Sequence, residues 1–273
     1  MIFTKVNIIP RRLNKDTLVK ILKIKHFVIF ITLIVVVSCK NDAVQLTEIK
    51  GQQIPVDTTY TGNDSIEKYI APFRSRINEV LDSTLAYAPQ PLLLNDGKRN
   101  TSMGNLMADI VFEETAPIFN SRTGKELDFV VLNAGGVRSI ISQGSVSARN
   151  AYEVMPFENY IVVVELSGSA ARKLIDFVAK SSRPHPVSRL QILTDKNRSL
   201  ESVNIKGQPF DESRNYYVAT SDYLVNGGPS VGFFDEIVST TEIDYLLRNA
   251  IIDHLKKVDT LKSEVDDRIK QLD

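Results

Sequence analysis

The sequence predicts an α+β fold in which sheets and helices pack in layers. Three observations carry this expectation. Phe129–Leu132 (FVVL) and Ile161–Leu166 (IVVVEL) are short unbroken apolar runs, as buried strands are. Met103, Leu106, Met107, Ile110 and Val111 recur at the spacing of one helix face. Strands and helices mix without strict βαβ alternation, which points to layers of sheet and helix.

The N-terminal region reads as an address. Phe27–Val37 (FVIFITLIVVV) is 11 apolar residues without a charge, lying behind a basic region. A helix needs about 20 such residues to span a bilayer, so the run fits a signal-peptide core. It ends in Val36-Val37-Ser38-Cys39, which resembles a bacterial lipobox, and Cys39 is the only cysteine in the chain. Cys39 is therefore the expected lipidation site, and the chain is expected to be an exported, membrane-anchored lipoprotein facing the periplasm or the cell surface. A free buried cysteine ending a short anchor is the plainer alternative. The expected organisation is a signal peptide over 1–38, a polar Thr-rich tether over 39–64 and one globular domain over 65–273.

Within the body, 65–86 reads as a helix with Ile66, Tyr69, Ile70, Phe73, Ile77, Val80 and Leu81 along one stripe. Pro72 should shift its start or kink it. A polar loop over 95–102 precedes the Met103 helix, with Ser102 as its expected N-cap. A helix follows IVVVEL from about Ser169. Segments 191–194 and 203–205 read as strands, with Lys206-Gly207 as a turn. Residues 216–224 read as a strand running into Asn226-Gly227-Gly228, and 242–256 as a last helix.

The chain has 33 basic and 33 acidic side chains. The first 38 residues hold 7 of the bases and 1 of the acids, so the remainder is mildly acidic. That argues against a general nucleic-acid binder, which would show a basic face. A hydrophobic content of 43% excludes bulk disorder. One Cys and 3 His, with no His-Glu-x-x-His, leave little for a disulfide framework or a self-contained metal centre.

Three segments place special residues where an apolar element breaks. In Arg99-Asn100-Thr101-Ser102-Met103-Gly104-Asn105, an arginine just before a helix start could join the free N–H groups to bind an anion. A solvated loop arginine is the more ordinary reading of that segment alone. Asn133-Ala134-Gly135-Gly136-Val137-Arg138 directly follows FVVL. Paired glycines let a backbone approach a ligand, and Arg can hold a phosphate bidentately; a tight structural turn fits equally. Phe157, in Met155-Pro156-Phe157-Glu158-Asn159, and Tyr223, before Asn226-Gly227-Gly228, could flank a cleft and stack on a flat heterocycle. Core packing is the commoner role for either ring alone.

Together these segments resemble the C-terminal, substrate-binding domain of the 5′-nucleotidase family. The matching stretches are NAGGVR (133–138), PFEN (156–159), YLVNGGPS (223–230) and RNTSMGNLMAD (99–109), and the resemblance covers about residues 65–256. It implies that Arg99 and Arg138 grip the substrate phosphate and that Asn133 bonds the ribose. It implies further that Phe157 and Tyr223 sandwich the base, while Gly135, Gly136, Asn226, Gly227 and Gly228 complete the binding loops. Three departures stand out: Ala134 for a Gly, Glu158 for a Gly beside the stacking Phe, and Pro229 for an Asp that holds ribose hydroxyls.

In the family, catalysis belongs to an N-terminal metallophosphoesterase domain with two metal ions. This chain carries none of that domain's motifs, no G-x-S-x-G elbow and no Walker A loop. His185, between Pro184 and Pro186, is expected on an exposed loop, and His254 at a helix C-terminus. The expectation is a substrate-recognition subunit of a split 5′-nucleotidase, binding a nucleoside monophosphate or related phosphorylated nucleoside. No cofactor is expected in this chain; the divalent metals would sit in a separate metallophosphoesterase partner. The alternative is a non-catalytic nucleotide- or phosphate-binding lipoprotein.

Overall fold

The computed structural model describes residues 14–37, 46, 48–57, 60–226 and 236–272. Two compact units divide at Thr61/Gly62. In the first, α1 (Lys15–Val37) holds the apolar run Phe27–Val37. Among the described residues no helix is long and apolar enough to cross a membrane. Cys39 lies outside the described residues.

The second unit is a mixed α/β domain, as the sequence predicts. It opens with α2 (Asp64–Asp82), capped by the Asn63 side chain, which accepts from the Ser65 and Ile66 amides. Pro72 lies inside this helix rather than at its start. The stripe of Ile66, Tyr69, Phe73, Ile77 and Val80 is exposed along its whole length. The helix stops at Asp82, and Thr84–Ala88 forms β1, where the sequence pattern suggests continuing helix. β1 pairs antiparallel with β3 (Gly144–Ser147), which feeds α4 (Ala148–Val154).

A five-stranded sheet forms the middle layer. Its strands are β2 (Phe129–Val131), β4 (Tyr160–Leu166), β5 (Val187–Ser188), β9 (Tyr216–Ser221) and β10 (Ile237–Leu246), in the order β10-β4-β9-β2-β5. β4 runs antiparallel to β9, and β2 parallel to it. Side chains alternate across the sheet. Val130, Leu132, Ile161 and Val163 face a core shared with α3 (Ser102–Thr123) and α7 (Leu247–Lys257). Phe129, Val131, Val164 and Leu166 face a second core with α5 (Gly168–Lys180). A four-stranded sheet packs into that second core: β6 (Leu190–Thr194), β7 (Leu200–Ile205), β8 (Gln208–Pro209) and β11 (Ile269–Gln271). Lys206 (φ +50) and Gly207 (φ +75) turn β7 into β8, as expected for a turn with two left-handed residues.

Three expectations need correction. The cap of α3 is Thr101, whose Oγ1 accepts from the Gly104 amide at 3.1 Å; Ser102 instead accepts from the Leu93 amide at 2.9 Å. Residues 242–246 extend β10, because Thr240, Thr241 and Ile243 continue a β-branched run that outweighs the helical spacing. The strand over 216–221 ends at Ser221, and Asp222–Asn226 forms a short helix, α6.

Candidate functional site

Topology brings three sequence-distant loops to one end of the central sheet. β2 and β9 are parallel, so their C-terminal ends coincide, and antiparallel β4 starts where they finish. Ile161 pairs with Ser221, which sets the Phe157–Asn159 segment before β4 beside α6 and its Tyr223. Asn133–Arg138 follows β2 on the same side. The connection from α5 to β5 arrives there too, because Val187 pairs with Val131.

These loops line a cavity of about 530 Å³ formed by Asn133, Gly135, Gly136, Arg138, Phe157, Asn159, Arg183 and Tyr223. Phe157 and Tyr223 are 43% and 46% exposed. Rings left this open are available for stacking rather than spent in a core. The Arg138 guanidinium lies 6.0 Å from the Phe157 ring centre and donates to the Gly135 carbonyl at 3.4 Å.

The glycine loop is fixed by its own hydrogen bonds. The Asn133 Oδ1 accepts from the Gly135 amide at 3.2 Å, and the Gly136 amide donates to the Asn133 carbonyl at 2.9 Å, closing one 3₁₀ turn over Ala134–Gly136. Ala134 is not among the residues with positive φ, so an alanine is accommodated there without strain. A Cβ on Gly135 would stand 3.3 Å from Asn133 Nδ2 and 3.6 Å from Arg183 Nη1. Both donors therefore lie close beside this glycine.

His185 underlies the loop and is only 6% exposed, contrary to the expected exposed position. Its ring packs 4.9 Å from Phe177. With a hydrogen on Nδ1 it donates to the Leu132 carbonyl at 3.2 Å; without one it accepts from the Ala134 amide at 3.4 Å. Burial holds its pKa below the usual histidine value against the Leu132 bond, and the Arg183 charge adds to the lowering.

Arg248, on α7, organises the aromatic side. It is 7% exposed, and its Nη1 lies 3.3 Å from the carbonyls of Pro156 and Phe157 and 3.5 Å from that of Met155. The α7 N-terminus adds a bond from the Leu247 amide to the Asn159 carbonyl at 3.0 Å. Glu158 turns its carboxylate toward Arg248 at 3.8 Å, and it does not line the cavity.

Arg99 is not brought to this cavity. Its guanidinium donates to the carbonyls of Ala179 at 2.5 Å and Ser181 at 2.8 Å, covering the end of α5. It lines a different cavity with Lys98, Lys196 and Lys270. The rest of that motif is a clasp for the C-terminal segment. Asn100 Nδ2 donates to the Asp266 carbonyl at 2.8 Å, Asn105 Nδ2 to the Glu264 carbonyl at 2.8 Å, and Asp109 forms a two-pronged ion pair with Arg268 at 2.9 and 3.1 Å. Asn226 lines a neighbouring cavity with Asp222, Glu242 and Asp244. Gly227, Gly228 and Pro229 lie outside the described residues.

Comparison with known proteins decides the family. Residues 84–236 match the profile described as 5′-nucleotidase, C-terminal domain. The chain belongs to this family. Protein UshA of Escherichia coli strain K12 is 30% identical over 144 residues, which cover 50% of this chain and 26% of UshA. The trifunctional nucleotide phosphoesterase protein YfkN of Bacillus subtilis is 22% identical over 80% of this chain and 16% of its own length. The chain thus spans about a quarter or less of these relatives. Among solved structures, a 5′-nucleotidase precursor from Thermus thermophilus shares the fold with a TM-score of 0.64 at 21% identity, covering 76% of this chain and 43% of that one. Among the described residues no group of three or more His, Cys, Asp or Glu could hold a metal ion.

Proposed function

We propose that this 5′-nucleotidase C-terminal domain is the substrate-recognition subunit of a split phosphohydrolase that takes a nucleoside monophosphate or related phosphorylated nucleoside. The observation that carries the reading is the cavity itself, which sets guanidinium groups and two open aromatic rings around one glycine loop. A phosphate ester bearing a flat base matches both ends. Charge-assisted forks hold the phosphate, and Phe157 and Tyr223 stack on the base.

Binding alone does not hydrolyse. An arginine stays protonated and supplies no nucleophile, and phosphate monoesters resist uncatalysed attack. Divalent metal ions on a separate metallophosphoesterase chain would activate the water and steady the charge on the phosphoryl group. The exposed apolar stripe of α2 supports this reading, since a second polypeptide commonly covers such a surface. Export and lipidation at Cys39 belong to the same proposal, placing both chains outside the cytoplasm.

Mixing the purified chain with exported metallophosphoesterases and assaying AMP hydrolysis tests it. At least one partner should be activated beyond its own rate. If none is, the split enzyme is lost. AMP binding that persists without activation would then favour a non-catalytic nucleotide-binding lipoprotein.

A further inference from the structure

We infer that Arg183, not Arg99, is the second phosphate-binding arginine of this cavity, and that Arg138, Arg183 and Asn133 surround the phosphate group at Gly135. The inference rests on the nucleotide reading above and deepens it.

Gly135 is the point where the donors meet. Arg138 reaches its carbonyl at 3.4 Å. The place a side chain would occupy on Gly135 lies 3.3 Å from Asn133 Nδ2 and 3.6 and 3.7 Å from the two terminal nitrogens of Arg183. Asn133 spends its Oδ1 on the Gly135 amide, which leaves the NH₂ group as a donor toward that place. The Asn133 amide and both terminal nitrogens of Arg183 thus lie close beside Gly135, and N–H groups gathered at one residue are the complement of an oxyanion.

Charge points the same way. Two guanidinium groups approach one residue, and among the described residues no carboxylate lines the cavity. Among the described residues neither Arg138 nor Arg183 has an ion-pair partner, whereas Arg214 and Arg248 each have one and Arg268 has two. Paired cations without an acid repel each other mildly in a solvated cleft, by about 1 kcal/mol or less. A dianion between them reverses the sign.

Arg183 is also held in place. Its own amide donates to Ser181 Oγ at 3.0 Å, Pro184 restricts the next bond, and His185 anchors the segment beneath the loop. The exposed head therefore projects from a fixed backbone.

Calorimetric titration of the intact chain with AMP, adenosine and inorganic phosphate tests the assignment. Arg183→Ala should raise the AMP dissociation constant about 10- to 100-fold and leave adenosine affinity unchanged. Arg183→Lys, which keeps charge but loses the fork, should fall between. Because Arg183 is exposed, both variants should melt with the wild type. If Arg183→Ala binds AMP as the wild type does while Arg138→Ala does not, the assignment is overturned and the nucleotide reading stands. If the wild-type chain binds AMP no better than adenosine, or binds neither, the reading fails and the assignment fails with it.

Discussion

The Arg248 guanidinium donates to the main-chain carbonyl of Phe157 at 3.3 Å from a site that is only 7% exposed. A helix on one side of the sheet thereby sets the position of a ring that opens on the cavity. The same group reaches the carbonyls of Met155 and Pro156 and lies over the Tyr152 ring at 4.3 Å. The segment before β4 is therefore tied by its backbone, leaving the Phe157 side chain free for a ligand.

Arg248→Met keeps the apolar stem and removes the donor. It should cost about 1.5–3 kcal/mol of stability, since charged hydrogen bonds are lost and three carbonyls lose their shared partner. Adenosine affinity should weaken while inorganic phosphate affinity holds. Thermal melting with parallel titrations reads both, and unchanged adenosine binding would show that Arg248 does not position the ring.

Arg99→Ala separates structure from recognition. Loss of the two carbonyl contacts at the end of α5 should lower stability by about 1–2 kcal/mol. AMP affinity should stay as in the wild type. An AMP affinity that falls as far as in Arg138→Ala would return Arg99 to the phosphate site.

The pH dependence of stability should carry a signature of His185. Its folded pKa lies below the ordinary value, so the unfolded chain binds the proton first as pH falls. The contribution of the neutral buried ring is complete above about pH 6.5 and is lost as pH drops from there toward the lowered folded value. Denaturant melts at several pH values should show this slope in the wild type and a shallower one in His185→Gln. Equal slopes would mean that His185 titrates alike in both states.

Much of the layered fold could be read from the sequence because buried strands are written as unbroken apolar runs. FVVL and IVVVEL became β2 and β4, and the Met103 stripe became α3. Boundaries failed where two periodicities overlap: Ile243 and Leu247 suit a helix, yet the β-branched residues before them hold β10 to Leu246. The cavity was legible at Arg138, Phe157 and Tyr223, each beside a conspicuous break in pattern. Arg183 and Arg248 were not, since one lies in a proline-flanked connection and the other on an ordinary amphipathic helix. Only the pairing of β5 with β2, and of α7 with the segment before β4, brings them to the site. Arg99 shows the converse: an arginine before a helix start looks like an anion site, while here its partners are the last carbonyls of another helix and it does not line this cavity.

The central claim is that the cavity at the ends of β2 and β9 holds a phosphorylated nucleoside. Titrating AMP into the wild type and Arg138→Ala under identical salt tests it most directly. One saturable site in the wild type, weakened about 10- to 100-fold by the substitution, is the result expected for a lost charged fork. No binding at millimolar AMP, or the same affinity in both proteins, would contradict it.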